Sequence, residues 1–536
     1  MASKSQYKTV PHTESSNPIT ENLDTASPDQ MVEMFHKCDL EVFNGPPGTE
    51  NSLLASENLQ KKILSLAAEI KAEKNPLCIF SGCGTSGRLG YVSSRNYRYS
   101  GLFPTVNFEY LMAGGDKALL TSQEAHEDKP LEGIADLKTC IDKHSPSKVF
   151  MFGITCGMSA PYVAGQLDYA VDTANITPVL IGFNEIESAR KIPIPTWNNK
   201  TFYETCQKLV KSEQGYIINP TLGGEHLTGS SRMKGGSATK AILDAVFAGV
   251  AGYDPISFLK ICVKDIDDFY TKNSEQIARM IELGGKSLNA GKSIVYLGKS
   301  INGAIGMIDG TECKPTYSAS LDDVRGFVDN GFIGLNNAEG DISFHGNDFK
   351  ISFEDLEKSS IDIGMCFHLD TFEKESLPAS SFPVFSFPSQ KIPDHEEFQK
   401  YRNQLLLKMA LNDVSTGSHV LKGKVMKNFM VDMALTNLKL FVRGREMIKK
   451  FAKVDSEKAV ECLLKAIYDE DVLSEDILGL DDEEHVKNAT IAAVAPGKGH
   501  CLPIAIILAS ANCTVKEARE KLNKEPRVRA ALNSVV

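Results

Sequence analysis

No apolar run of 18 residues occurs anywhere in the chain, and its first 24 residues, MASKSQYKTVPHTESSNPITENLD, hold no apolar stretch of the kind that opens a secretory signal. Neither a membrane-spanning helix nor export is expected, and the chain is read as cytoplasmic or nuclear. It also lacks a basic excess, since 58 Lys and Arg stand against 69 Asp and Glu for a formal charge of -11. Nucleic acid and anionic membranes attract the opposite sign, so neither is an expected partner. The 12 cysteines include no CxxC pair and have no His partners at metal-ligand spacing, which argues against both a zinc site and a disulfide framework. No metal and no cofactor is expected. The three GKS triplets, at Gly285, Gly291 and Gly298, each lack a glycine five positions earlier, which excludes a nucleotide P-loop.

What is there is a chain of 536 residues, 42% hydrophobic and 24% charged, composed like a soluble globular protein and too long for one core. The first 28 or so residues, rich in Ser, Thr, Asn and Pro, read as a loose tail or as an arm ordered on contact. Ser27 and Pro28 then open a helix, with Met31, Met34 and Phe35 at helical spacing, and a second helix is expected over 52–73. Short β-branched or aromatic runs follow at 77–81, 105–111, 148–154, 178–183 and 215–218, separated by helical stretches. That alternation implies a parallel sheet covered on both faces. A fainter copy begins at 294–297, where the turn GKSING aligns Gly298 with Gly82 and Gly303 with Gly87, and puts Ile301 and Asn302 where Thr85 and Ser86 stood. The Pro- and Ser-rich stretch SLPASSFPVFSFPSQKIPD predicts a surface loop with exposed aromatics. Beyond it the chain reads as all helical, long helices over 403–451 and short ones over 455–536, with Thr514 and Glu517 forming a capping box. Four regions result: an arm and helix over 1–50, a ligand-binding sheet domain over 51–250, a degenerate second one over 251–410, and a helical region over 411–536.

In open parallel sheets, ligands sit beyond the carboxyl ends of the strands, where loops meet helix N-termini. Three loops carry the right residues: GCGTSG (82–87), TCGMS (155–159) and TGSSRMKGGS (228–237). Each alone reads as a strand-to-helix turn with a hydroxyl cap, whereas three in one domain point to an anion pocket. GCGTSG carries the letters of a dinucleotide fingerprint, yet about 20 residues on only Glu109 is placed to meet a ribose. Without a nucleotide or metal motif, a phosphorylated small molecule such as a sugar phosphate is the expected ligand.

The stretches GCGTSGRLG, AGGD (113–116), HEDK, GITCGMSAPYVAG, TGSSRMKGG and KVMKNFMVDMALTNLKL, in this order, resemble the sugar isomerase (SIS) domain family. The branch is that of N-acetylmuramic acid 6-phosphate etherase and the glucokinase regulatory proteins. The etherase is similar only to residues of about 15–245 and 414–536, whereas the regulators are similar to nearly the whole chain. The fold implied is α/β: two tandem SIS domains with parallel sheets flanked by helices, plus an all-helical C-terminal lid. Etherase chemistry in that family uses two glutamates. One matches Glu127, but the other falls on Asn96, an amide that exchanges no proton at neutral pH, and no carboxylate occurs between Gly87 and Phe108. The resemblance therefore implies a non-catalytic regulator, with an etherase-like lyase acting on amino-sugar phosphates as the alternative.

Carried across residue by residue, the resemblance implies that Thr85 and Ser86 hold a phosphate and that Thr155, Cys156 and Gly157 form the next loop. Glu127 would accept from sugar hydroxyls, Glu312 would reach in from the second domain, and Lys439 would serve as the lid's cation. A histidine three positions beyond the acidic residue in the regulators is Pro315 here. Ser230 and Ser231 read equally as ligand contacts or caps, Arg88 and Arg232 equally as ligand contacts or domain ion pairs, and His126 reads as structural. In the regulators a fructose 6-phosphate-like ligand favours inhibition of a glucokinase or hexokinase-type enzyme and fructose 1-phosphate opposes it. Their apolar contact motif falls near FPVFSF (382–387).

Overall fold

The computed structural model describes residues 11–212, 214–345, 350–370, 382–388, 396–433, 435, 438–495 and 498–533. The first sheet has five parallel strands, β1 (Pro76–Gly82), β2 (Asn107–Met112), β3 (Lys148–Ile154), β4 (Ile176–Ile181) and β5 (Tyr216–Ile218), in the order β2-β1-β3-β4-β5. Every residue of β1 and β4 is buried, as the near-continuous apolar runs require of a sheet covered by helices on both faces. The chain reverses direction across the sheet between β1 and β3. Loops leaving these two strands therefore flank the switch point, the crevice where open sheets of this order bind ligands.

The second sheet repeats the plan with one strand fewer: β6 (Ser293–Gly298), β7 (Val324–Val328), β8 (Ile363–His368) and β9 (Val384–Ser386), all parallel, in the order β7-β6-β8-β9. The duplication read from the glycines is present in the backbone. A Cβ placed on Gly82 would lie 2.6 Å from the nitrogen of Gly87, and one on Gly298 2.5 Å from the nitrogen of Gly303, so both helices close directly onto their strands.

Part of the stretch expected as a loop is instead β9. Pro383 sits just before an edge strand, where its missing N–H is harmless, while its carbonyl accepts from Cys366 and Phe387 N–H donates to His368. Phe387 is buried against the Phe269 ring, 5.8 Å away, rather than exposed; residues 371–381 and 389–395 of the Pro- and Ser-rich region lie outside the described residues.

Two long helices bind the halves together. Pro255–Asn289, capped by Asp254, runs from the first sheet domain to the second and packs along Glu396–Leu421, which continues unbroken through residue 410. The lid's own apolar core begins at Met426 and centres on Phe441, Leu463, Ile504 and Ile507. Its helices include Leu438–Ala452, Ser456–Tyr468 and Val515–Lys524, the last with the expected capping box. It is not all helical: a hairpin pairs Val425 and Met426 with Phe429 and Met430. The N-terminal arm, from residue 11, is ordered by contact. Asn17 is buried, donates to Glu41 and to the Gly224 carbonyl, and accepts from Asn428 of the hairpin. Residues 1–10 of the expected tail lie outside the described residues. Among the described residues no single helix is long and apolar enough to cross a membrane.

Candidate functional site

The turn after β1 places Gly84 at φ 51°, a conformation glycine adopts freely. The helix Thr85–Arg98 starts there with no side-chain cap. A Cβ on Gly84 would meet nothing within 4 Å, so the space before the helix N-terminus is open, and the positive end of the helix dipole faces it. The turn after β3 lies alongside. Thr155 accepts from the Ser159 N–H, and a Cβ on Gly157 would approach only the Ser159 hydroxyl, at 3.5 Å. Ser86 Oγ and Cys156 Sγ are 3.8 Å apart, which joins the two turns into one cradle. Burial, with the Glu225 carboxylate, pushes the Cys156 thiol up to about 12, so it stays neutral and is no nucleophile at neutral pH.

The third loop is different, because its anion position is filled from within. Glu225 accepts from the N–H groups of Lys234 (2.7 Å) and Gly235 (2.9 Å), at the start of the helix Lys234–Ala251. Two of the three loops, those after β1 and β3, therefore remain for an external ligand.

Glu312 comes from the second domain, on the helix Ser300–Tyr317, and is buried. It accepts from Thr85 Oγ1 at 2.6 Å and lies 3.6 Å from the Arg88 guanidinium. Thr85, Ser86 and Glu312 thus converge across the two domains, as do Ser86 and Cys156 within the first. Glu127 ends the short helix Glu124–Glu127 half-buried. Burial and then the charge of Glu127 raise the Cys83 thiol, which puts that carboxylate within electrostatic reach of the cradle. His126, read as structural, pairs with Glu132. Lys439 falls in the helix Leu438–Ala452, and its side chain lies outside the described residues. One turn further on, Arg443 donates to the Thr228 carbonyl, so the lid touches the third loop directly.

Behind Glu312 lies a buried polar network that the sequence reading did not find. Asp309, one turn earlier on the same helix, accepts from Arg232 (2.8 Å), Asn412 (2.7 Å) and Ser415 (3.2 Å). Arg232 also donates to Tyr317, Ser415 and Thr416, which settles it as a domain ion pair. Lys408 donates to the carbonyls of Arg232 and Met233, to Ser237 and to Asn412; burial lowers its pKa against the raising effect of Glu312. Thr85, Lys240, Asp309, Glu312 and Lys408 help line an interior cavity of about 20 Å³. That is room for a water, not a sugar. The signals were the i, i+3 spacing of Asp309 and Glu312 and the i, i+4 spacing of Lys408 and Asn412, each of which marks one helix face.

Asn96 is buried deep along its helix, eleven residues or about 16 Å of rise from Thr85. Its amide exchanges two hydrogen bonds with Gln404, at 2.7 and 3.1 Å.

Residues 58–171 match the glucokinase regulatory protein N-terminal SIS domain, 271–370 the second SIS domain of that protein, and 427–532 its C-terminal lid domain. Over its full length the chain is similar to the glucokinase regulatory protein of Xenopus laevis, 32% identical with 98% of this chain and 93% of that one covered. To the glucokinase regulatory protein of Homo sapiens it is 31% identical, over 98% and 92%. The N-acetylmuramic acid 6-phosphate etherase of Thermosynechococcus vestitus is 28% identical over 44% of this chain and 67% of its own.

Proposed function

From its membership of the glucokinase regulatory protein family, to which this chain belongs, we propose that it is a non-catalytic regulator that senses sugar phosphates. A fructose 6-phosphate-like ligand would favour its inhibition of a glucokinase- or hexokinase-type enzyme, and a fructose 1-phosphate-like ligand would oppose it. The observation that carries the reading is the open, uncapped helix N-terminus at Gly84 with Glu312 of the second domain hydrogen-bonded across it to Thr85. On this reading the phosphate is seated by the amides and hydroxyls of Thr85 and Ser86, with the turn at Thr155, Cys156 and Gly157 as its second wall. Glu312 and Glu127 accept from sugar hydroxyls, and Lys439 brings a lid cation to the phosphate. Glu312 must exchange its present donor, Thr85, for a sugar hydroxyl, so binding alters a contact between the two domains. A ligand that prefers one arrangement of those domains shifts the population toward it.

Calorimetric titration with fructose 6-phosphate and fructose 1-phosphate, and inhibition of a glucokinase with and without each, test the reading. Saturable binding with opposite effects on inhibition is expected. No sugar-phosphate binding, or binding without any effect on a hexokinase-type enzyme, refutes it. The lyase alternative is opposed by the Asn96–Gln404 amide pair. It predicts lactate released from N-acetylmuramic acid 6-phosphate, and our reading predicts none.

A further inference from the structure

Away from the cradle, two carboxylates and an imidazole meet in the interior. Asp39 lies on the helix Pro28–Asn44, Asp413 on Glu396–Leu421, and His226 on the segment that leads into the third loop; they are 2%, 1% and 0% exposed. One ligand atom from each falls within 4.8 Å of the others. Asp39 and Asp413 each hydrogen-bond the Tyr270 hydroxyl at 2.6 Å, and His226 Nε2 is 3.3 Å from Asp39. Among the described residues no Lys or Arg forms an ion pair with either carboxylate. Lys408, whose charge reaches Asp413, spends its ammonium hydrogens elsewhere. Three atoms of the cluster, Asp413 Oδ1 and both ring nitrogens of His226, have no hydrogen-bond partner.

Burying two carboxylates side by side is costly unless a positive charge compensates them. Two anionic oxygens and one neutral imidazole are a complete charge match for a divalent cation. An unpartnered carboxylate oxygen and the one lone-pair nitrogen of a neutral imidazole are what such an ion would use. We propose that Asp39, His226 and Asp413 form a binding site for a divalent cation, with Tyr270 as the adjacent hydroxyl. The mixed nitrogen and oxygen set suits Zn²⁺ or Mn²⁺. On a tetrahedral ion with bonds near 2.1 Å the ligand atoms lie about 3.4 Å apart, a separation close to the 3.3 Å already found between His226 Nε2 and Asp39. The ion would pin the N-terminal helix, the entry to the third loop and the helix Glu396–Leu421 at one point.

The test uses the full chain, stripped with a chelator and titrated with ZnCl₂ and MnCl₂. The expected result is about one equivalent bound per chain, a melting temperature that rises with the metal and falls on chelation, and loss of both in Asp413→Asn and His226→Gln. Should those variants fail to fold, Co²⁺ substitution of the wild type gives a second reading. Visible d–d absorption of a tetrahedral site supports the proposal, and its absence overturns it. Metal uptake unchanged in Asp413→Asn, or a wild type whose stability ignores both metal and chelator, also overturns it. In that case the two carboxylates share a proton through Tyr270.

Discussion

The repeated glycine pair offers the sharpest test of the cradle, because the same lesion can be made in both sheets. In Gly87→Ala the new Cβ lies 2.6 Å from the Gly82 carbonyl oxygen and 2.7 Å from Met112 Cγ, where ordinary contact begins near 3.4 Å. The helix Thr85–Arg98 must retreat from β1 by roughly 1 Å, since close-packed interiors do not absorb such overlap. Overpacking of this kind costs about 3 kcal/mol at the upper end, and alanine's better helix propensity returns about 1, for a net loss near 2 kcal/mol. Gly303→Ala meets the Gly298 carbonyl and Val328 in the same way, so its stability loss is similar. Their effects on ligand must differ. A displacement of 1 Å spoils one charge-assisted bond from Thr85 or Ser86, worth about 1.5–3 kcal/mol. Fructose 6-phosphate affinity should fall about 10- to 100-fold in Gly87→Ala and by distinctly less in Gly303→Ala, whose helix reaches the cradle only through Glu312, nine residues further on. Urea unfolding reads the first quantity and calorimetric titration the second. Equal affinities in the two variants, or undiminished binding in Gly87→Ala, would refute the placement of the phosphate at this turn.

Removing Asp309 by Asp309→Ala leaves the Arg232 guanidinium buried and uncompensated, and should destabilise the chain by about 3–5 kcal/mol in urea unfolding, with Asp309→Asn losing less. Burial would raise the Asp323 carboxyl, but the His419 imidazole 3.6 Å away and the hydrogen-bonded Lys422 ammonium hold it down to about 2. A depressed carboxylate stabilises the fold above its unfolded value, near 3.8, and loses that contribution as pH falls through its folded value. The stability gap between wild type and Asp323→Asn should therefore be about 2 kcal/mol near pH 6 and roughly half that at pH 3, as followed by unfolding at a series of pH values. A flat gap over that range would show that Asp323 carries no such linkage. Lys439→Ala should weaken fructose phosphate binding at least about ten-fold with an unchanged melting temperature, and unaltered affinity removes the lid cation from the site.

The parallel strands of the first sheet, and β6 of the second, were legible because their residues are β-branched or aromatic and bounded by turn formers, and the duplication because Gly298 and Gly303 obey the same steric demand as Gly82 and Gly87; β7 and β8 were not anticipated. The strand Val384–Ser386 was hidden by flanking prolines that usually signal a loop; only pairing with β8, more than a dozen residues earlier, makes it a strand. Thr85, Ser86 and Cys156 could be found from local pattern, since a helix N-terminus is a local property. Glu225 could not be read as the occupant of the third loop, because its role depends on a chain reversal that carries it back to Lys234. The same holds for Asp39, His226 and Asp413. Metal-ligand spacing is visible in sequence only when ligands share one turn or one hairpin, and these three are separated by 187 residues in each interval.

The helix Glu396–Leu421 gives the geometry its consequence. Its residues Lys408, Asn412 and Ser415 hold Arg232 of the first domain and Asp309 of the second, and three residues beyond Asp309 stands Glu312, the group across the mouth of the cradle. From the end of that helix the chain passes directly into the hairpin whose Asn428 pairs with Thr228 and with the arm. Because these groups are buried and hydrogen-bonded, they do not yield gradually; displacing one strands another without a partner, at a cost of about 1–3 kcal/mol. An anion that draws Thr85 away from Glu312 therefore acts on a network with few intermediate arrangements, and the lid is tied to the same network. On the proposed reading, exchange of the acceptor at Thr85 is the step by which a bound phosphate would reach this network and, through it, the arrangement of the two domains.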